Sequence, residues 1–227
     1  MTVDLTDRFD QAPNPTHRLI PSRFPPINAF ETVTDAANAR AVMELEGWTN
    51  DRLVAERLHR LAEDDWVFGR ANASVVMAAF LHTAPGGLRF NAGALGAWYA
   101  AASLATAAAE VAHHLKREAV ARGLTEARRV FRAYSARLVG GYLEIRGEGA
   151  ARPECYAPDQ YTSSQPFGEA VRASGGAGIL YDSLRHAGGV KVVAYRPRNV
   201  LHVTQAAHYE VTAPVSGRVI VRSLVAS

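Results

Sequence analysis

Apolar residues recur at helical spacing through much of the first half of the chain and alternate with polar ones through much of the second. The clearest helical run is Leu104, Ala108, Val111 and Leu115, which fall on one face. The stretch is rich in alanine, the best helix former, and Ser103 stands before it as an N-cap. Glu31 to Leu45 and Thr49 to Leu61 also predict helices, broken at Gly47 and restarted by a cap at Thr49 or Asn50. Val42, Leu45, Leu53, Leu58 and Leu61 supply their apolar faces. Asn72 to His82 predicts a third helix, with Met77 and Phe80 in the core.

Strand signals dominate the remainder. His17 to Arg23 reads as a short strand stopped by prolines, and the apolar run Gly96 to Ala101 leads into the central helix. Val130 to Val139 and Tyr142 to Arg146 read as strands joined at Gly140-Gly141. Residues 147–165 are loop-like, and Phe167 to Ala173 is a short helix. Gly178 to Leu184 and Val190 to Tyr195 read as strands about a Gly188-Gly189 turn. Val200 to Val211 and Arg218 to Val225 complete the set. Strands flanking one central helix predict an α+β fold rather than alternating βαβ units. Residues 1–16, with Pro13 and Pro15, are expected to form an arm, and residues 17–227 a single domain.

Composition narrows the function classes. Hydrophobic residues make up 48% of the 227, enough for a substantial core. The net charge is +3, with arginines scattered among acids, so direct nucleic-acid binding is not expected. Lys116 and Lys191 are the only lysines. A single cysteine, Cys155, permits no intrachain disulfide and fits a reducing compartment. The N-terminus lacks a signal-peptide core, and the weakly polar run Ala94 to Ala109 falls short of a membrane span. A cytoplasmic protein without membrane association is expected.

Candidate chemistry concentrates in the central stretch. Glu110 lies off the apolar helix face, beside Ser103, Thr106, Ala107, His113 and His114. A carboxylate among alanines must reach water, a cation or a ligand. Glu110-x-x-His113 has no second copy to make a di-iron site, and His113-His114 do not readily face one metal, so no metal is expected. There is no Walker A, G-x-G-x-x-G or G-x-S-x-G motif.

The phrases around Glu110 resemble the core of the RES-domain family. They are Arg89-Phe90-Asn91-Ala92-Gly93, then Trp98-Tyr99-Ala100-Ala101-Ala102-Ser103, then Thr106-Ala107 and Glu110. Gly178-Ile179-Leu180-Tyr181-Asp182-Ser183-Leu184-Arg185 is similar to the family's serine segment, with Asp182 where proline is frequent. His17-Arg18 resembles an early segment whose arginine is thought to hold a cofactor phosphate; Arg18 matches best and Arg23 is a second candidate. Glu46-Gly47-Trp48-Thr49-Asn50-Asp51-Arg52-Leu53 resembles a longer subgroup with a helical insertion, here about residues 31–82.

The resemblance implies an ADP-ribosyltransferase-like fold of mixed sheets around a central helix. It also implies the toxin of a bacterial toxin–antitoxin pair that cleaves NAD+ at the nicotinamide–ribose bond. Water or inorganic phosphate would be the acceptor, with transfer to a protein and a non-catalytic binding subunit as alternatives. NAD+ would be a substrate, not a resident cofactor. Arg89, Tyr99, Glu110 and Ser183 are the implied catalytic set. Arg18, Arg89, Tyr99 and Ser183 would bind NAD+, with Arg23, Tyr181 and His82 as secondary candidates. An Xre-like DNA-binding antitoxin is the implied partner, and a homodimer is a further possibility.

Overall fold

The computed structural model describes residues 8–24, 28–42 and 52–224. Among these, nine strands join in one sheet. In chain order they are β1 (Phe9–Asp10), β2 (Thr16–Pro21), β3 (Trp98–Ala101), β4 (Glu126–Leu138), β5 (Tyr142–Glu144), β6 (Gly178–Asp182), β7 (Val190–Ala194), β8 (Val200–Pro214) and β9 (Ile220–Leu224). Across the sheet the order is β1-β5-β6-β7-β3-β2-β4-β8-β9. The β5–β6 pair is parallel and the other neighbours are antiparallel. The fold is α+β, as the strand and helix patterns predict.

Among the described residues five α-helices accompany the sheet. Helix α1 starts at residue 36 and is described to residue 42. The others are α2 (Arg52–His59), α3 (Ala73–Leu81), α4 (Leu104–Ala121) and α5 (Ser164–Ala173). The period-two alternation of the strands sorts them onto two faces. Trp98, Ala100, Val192 and Ala194 face α3, where Val76, Met77 and Phe80 cover them. The opposite face carries two clusters. Leu19, Ala101, Phe131, Ala133 and Val211 pack beneath Ala107, Ala108, Ala112 and Leu115 of α4. Ile179, Tyr181, Val193 and Tyr195 pack with Phe167 and Val171 of α5.

The sheet is in effect two halves. Strands β2 and β3 share a single pairing, His17 with Ala101. By contrast, β2 pairs with β4 at six successive positions and β3 with β7 at four. Chain reach requires the halves to fold toward one another. From Leu138 to Tyr142 the backbone spans at most about 14 Å. Strands β4 and β5 are separated by β6, β7, β3 and β2 in the sheet order. Laid flat, they would lie about 24 Å apart.

Local signals fix most element ends. The Ser103 hydroxyl accepts the Thr106 N–H at 3.1 Å, the expected cap of α4. Gly123 follows the helix at φ +65°, a left-handed conformation that suits glycine. Three expectations differ. The first helix begins at 36 rather than Glu31, because Asp35 caps it by accepting the Asn38 N–H at 2.8 Å. Glu31 instead accepts the Ser74 hydroxyl at 2.6 Å and ties this segment to the start of α3. Helix α5 begins at Ser164, since Pro166 fits the first turn. Finally, the strands on either side of Gly140-Gly141 do not pair with each other. The Gly47 break, the caps at Thr49 or Asn50 and the Leu45 contact lie outside the described residues.

Helix α5 approaches the Arg89–Asn91 segment through Gly168. A Cβ there would stand 2.1 Å from the Phe90 carbonyl oxygen. Alanine normally gains about 1 kcal/mol over glycine inside a helix. Here Gly168→Ala is expected to destabilise the protein by about 1–3 kcal/mol through overpacking. Denaturant unfolding checks this, and a rise in stability would contradict the close approach.

Candidate functional site

A cleft of about 200 Å³ opens where the two half-sheets meet. One wall is β2, the other is β3 with β7, and α4 forms the roof. Arg18 occupies the gap between the splayed strands. Its Nη1 donates to the Tyr99 carbonyl at 3.4 Å, and its guanidinium lies 4.7 Å from the centre of the Trp98 ring. A side chain thus stands where a strand amide would otherwise pair. Burial pushes the Arg18 pKa down to about 10, with Tyr99 opposing the shift.

Glu110 enters the cleft from the first half of α4. The Ser183 hydroxyl donates to its Oε1 at 2.7 Å, and the Lys191 ammonium lies 3.3 Å from its Oε2. Burial alone would raise its pKa, but the Lys191 charge and the Ser183 and Lys191 hydrogen bonds outweigh this and hold the carboxyl below its usual range. Glu110 is therefore ionised at neutral pH. Ser183 follows the end of β6 and is itself pinned: the N–H groups of Arg185 and His186 both donate to its Oγ at 3.2 Å. With its proton on Glu110 and two donors on its oxygen, Ser183 orients the carboxylate and is not free to act as a nucleophile.

Arg89 is brought to the cleft, but most of its donors are engaged. Nη1 donates to the carbonyls of Cys155 and Ala157 at 3.0 and 2.7 Å, and Nη2 to that of Pro158 at 3.3 Å. Its guanidinium stands 5.0 Å from the centre of the Tyr161 ring. Arg185 donates to the same Pro158 carbonyl at 2.7 Å. Two arginines therefore fasten the 155–158 loop beside the cleft. Tyr99 supports this arrangement from below. Its hydroxyl donates to Asn91 Oδ1 at 2.8 Å and accepts the Phe90 N–H at 2.9 Å. Burial holds its pKa well above the ordinary range, so it stays a neutral anchor of the turn that carries Arg89.

Of the residues singled out in the sequence, Arg18, Arg89, Tyr99, Glu110 and Tyr181 line the cleft, and Ser183 joins it through Glu110. Arg23 does not line it: it is exposed, with its guanidinium over the ring of the adjacent Phe24. His82 lies at the exposed C-terminal cap of α3, its backbone N–H bonded to the Ala78 carbonyl, and does not line it either. Sequence reasoning missed Lys191, Tyr161, Arg185 and His17 as lining residues. A signal for Lys191 was present, namely a lysine inside an apolar strand of a chain with only two. A shallower groove bounded by Gly86, Gln165 and Glu169 adjoins the cleft at Tyr161. Among the described residues no helix is long and apolar enough to cross a membrane.

The arrangement is a single ionised carboxylate surrounded by cations in a partly buried cleft. It belongs to a recognised domain class: the RES-domain model matches residues 57–213. The chain belongs to the RES-domain family. Arg89, Tyr99, Glu110, Ser183 and Lys191 fall within the matched span, and Arg18 lies before it. Among solved structures, a chain of the M. tuberculosis MbcT–MbcA toxin–antitoxin complex is similar at 22% identity, with a TM-score of 0.39. The match covers 54% of this chain and 73% of that one. No curated protein sequence matches the chain.

Replacing Ser183 with alanine leaves the Arg185 and His186 amides without this acceptor and Glu110 Oε1 without this donor. A stability loss of about 1–3 kcal/mol is expected in denaturant titration. An unchanged midpoint would mean that the hydroxyl is not engaged in this way.

Proposed function

We propose that this chain is the toxin of a toxin–antitoxin pair and cleaves NAD+ at the nicotinamide–ribose bond. The observation that carries the reading is the ionised Glu110 held in a cleft with Arg18, Arg89, Arg185 and Lys191 around it. The nicotinamide of NAD+ leaves from a cationic state, so no acid must protonate it. The transition state is oxocarbenium-like, and a fixed carboxylate beside the ribose stabilises it. The pyrophosphate requires cations, which Arg18 and the unoccupied donors of Arg89 supply. Ser183 keeps Glu110 in place, and Tyr99 keeps the Arg89 turn in place. The groove beyond Tyr161 offers room for the remainder of the dinucleotide.

The acceptor is water or inorganic phosphate in this reading, with NAD depletion as the toxic effect. Openness of the adjoining groove favours one alternative, transfer of ADP-ribose to a protein. A free NAD-consuming enzyme would harm its own cell, which calls for a neutralising antitoxin. Leu88 and Leu184, both exposed and both at the cleft, offer apolar contact for such a partner.

Brief induction of the chain in cells should lower free NAD sharply. Glu110→Ala should abolish the effect, and the purified variant should lose about 10²–10³-fold in turnover. A product that depends on phosphate identifies the acceptor. Growth arrest at constant NAD would point to protein modification. Neither arrest nor NAD loss from folded protein would overturn the proposal.

A further inference from the structure

Lysine is rarely buried, because its ammonium loses hydration. Lys191 is nevertheless only 8% exposed, in a strand whose next three residues, Val192, Val193 and Ala194, are completely buried. The strand gives no reason for a cation at this position; the reason lies across the cleft, at Glu110. Apolar side chains in place of both Lys191 and Glu110 would cost the fold little, whereas an apolar side chain in place of the lysine alone would leave a partly buried carboxylate without its cation. The surroundings make room for the lysine. On the neighbouring strands Lys191 pairs with Ala101 and Tyr181. The small alanine leaves its chain a path toward α4, and its ammonium passes 6.0 Å from the centre of the Tyr181 ring. That path ends 3.3 Å from Glu110 Oε2. The other carboxylate oxygen is already held by Ser183.

We propose that Lys191 is a positioning residue for NAD+ cleavage: with Ser183 it grips the two oxygens of Glu110 separately, fixing the orientation and the charge of the carboxylate. This inference rests on the NAD-cleaving reading above. Two oxygens held from β7 and from the turn after β6 leave the Glu110 side chain no rotation about its last bond. The lysine stabilises the anion that the transition state needs. Arg18 and Arg89 remain the cations for the substrate phosphates.

The other titratable and charged groups around the pair are His113 and His114 on α4, His17 and Arg18 on β2, Tyr99 on β3, Tyr181 on β6, and Arg89, Tyr161 and Arg185 in the loops, with the Asp159 carboxylate beside His113 and Arg185. Burial, with help from Arg185, holds His113 below the ordinary histidine range, and burial holds the Tyr181 hydroxyl protonated. The acid limb belongs to Glu110. Its carboxyl is held low in the folded protein, so activity that needs the anion is lost only as pH falls through that lowered value. Removing the lysine charge moves the loss to higher pH.

The test compares NAD+ cleavage by the full chain, Lys191→Met and Lys191→Arg across pH. In Lys191→Met, kcat is expected to fall roughly ten- to a hundredfold, the equivalent of a lost charged hydrogen bond. KM is expected to stay within about threefold, and the acid limb to move to higher pH. Lys191→Arg should restore the acid limb. Lys191→Met should not weaken NAD+ binding further in a Glu110→Gln background, because the lysine acts through the carboxylate. Weaker binding there would mean that Lys191 holds the substrate itself, and would overturn the proposal. So would a Lys191→Met enzyme with the native kcat and pH profile, while leaving the NAD-cleaving reading intact. Absence of NAD+ cleavage by the native chain would instead overturn that reading. Carboxyl NMR of the intact native protein gives an answer even if the variants do not fold. Glu110 must titrate below an ordinary glutamate, and titration at or above that value sinks the proposal.

Discussion

One pairing, His17 with Ala101, joins the two halves of the sheet, and the site exists because there is only one. Had β2 and β3 zipped along their length, backbone bonds would fill the space that Arg18 now occupies. Instead its guanidinium bonds the Tyr99 carbonyl and lies over Trp98. The cost of burying that cation is visible in its lowered pKa. The reward is a cleft whose walls come from different halves of the molecule. Glu110 reaches it because the Ser103 cap of α4 stands only two residues after β3 ends.

Within that cleft the parts divide into those that face the space and those that hold them. Glu110 faces it. Ser183 and Lys191 hold Glu110, and the Arg185 and His186 amides hold Ser183. Asn91 and Tyr99 hold the turn bearing Arg89, and Arg89 holds the 155–158 loop. Fixed dipoles and charges need no reorganisation during reaction, so such layered support suits electrostatic stabilisation of a developing cation.

Much of this was legible where the signal is local. Ser103 before an alanine run predicts a capped helix, and the structure has it. The α+β class followed from strand signals around one central helix. Glu110 stood out because a carboxylate among alanines demands a partner. The missed features depend on distant pairings. Gly140-Gly141 looks like a hairpin turn, but β5 finds β6 and β1 while β4 finds β2 and β8, because their apolar faces are buried there. Lys191 gains its meaning only once β7 is placed beside β3, under α4. Arg89 reads as a phosphate ligand in its phrase, and no sequence pattern reveals three carbonyl oxygens waiting some seventy residues away.

That last difference alters how the charge of the cleft is understood. Counting arginines overstates the field offered to an anion, because donors committed to carbonyls have part of their charge already answered. Arg89 is committed in this way to the 155–158 loop, Arg185 is shared between that loop and the Asp159 carboxylate at 3.4 Å, and Lys191 is answered by the full negative charge of Glu110. Arg18, with a single long bond to a carbonyl and a ring beneath it, keeps most of its donors for another partner. A pyrophosphate entering the cleft would therefore meet its least satisfied cation at the split between β2 and β3. The geometry of the sheet, more than the number of basic residues, sets where an anionic substrate would sit.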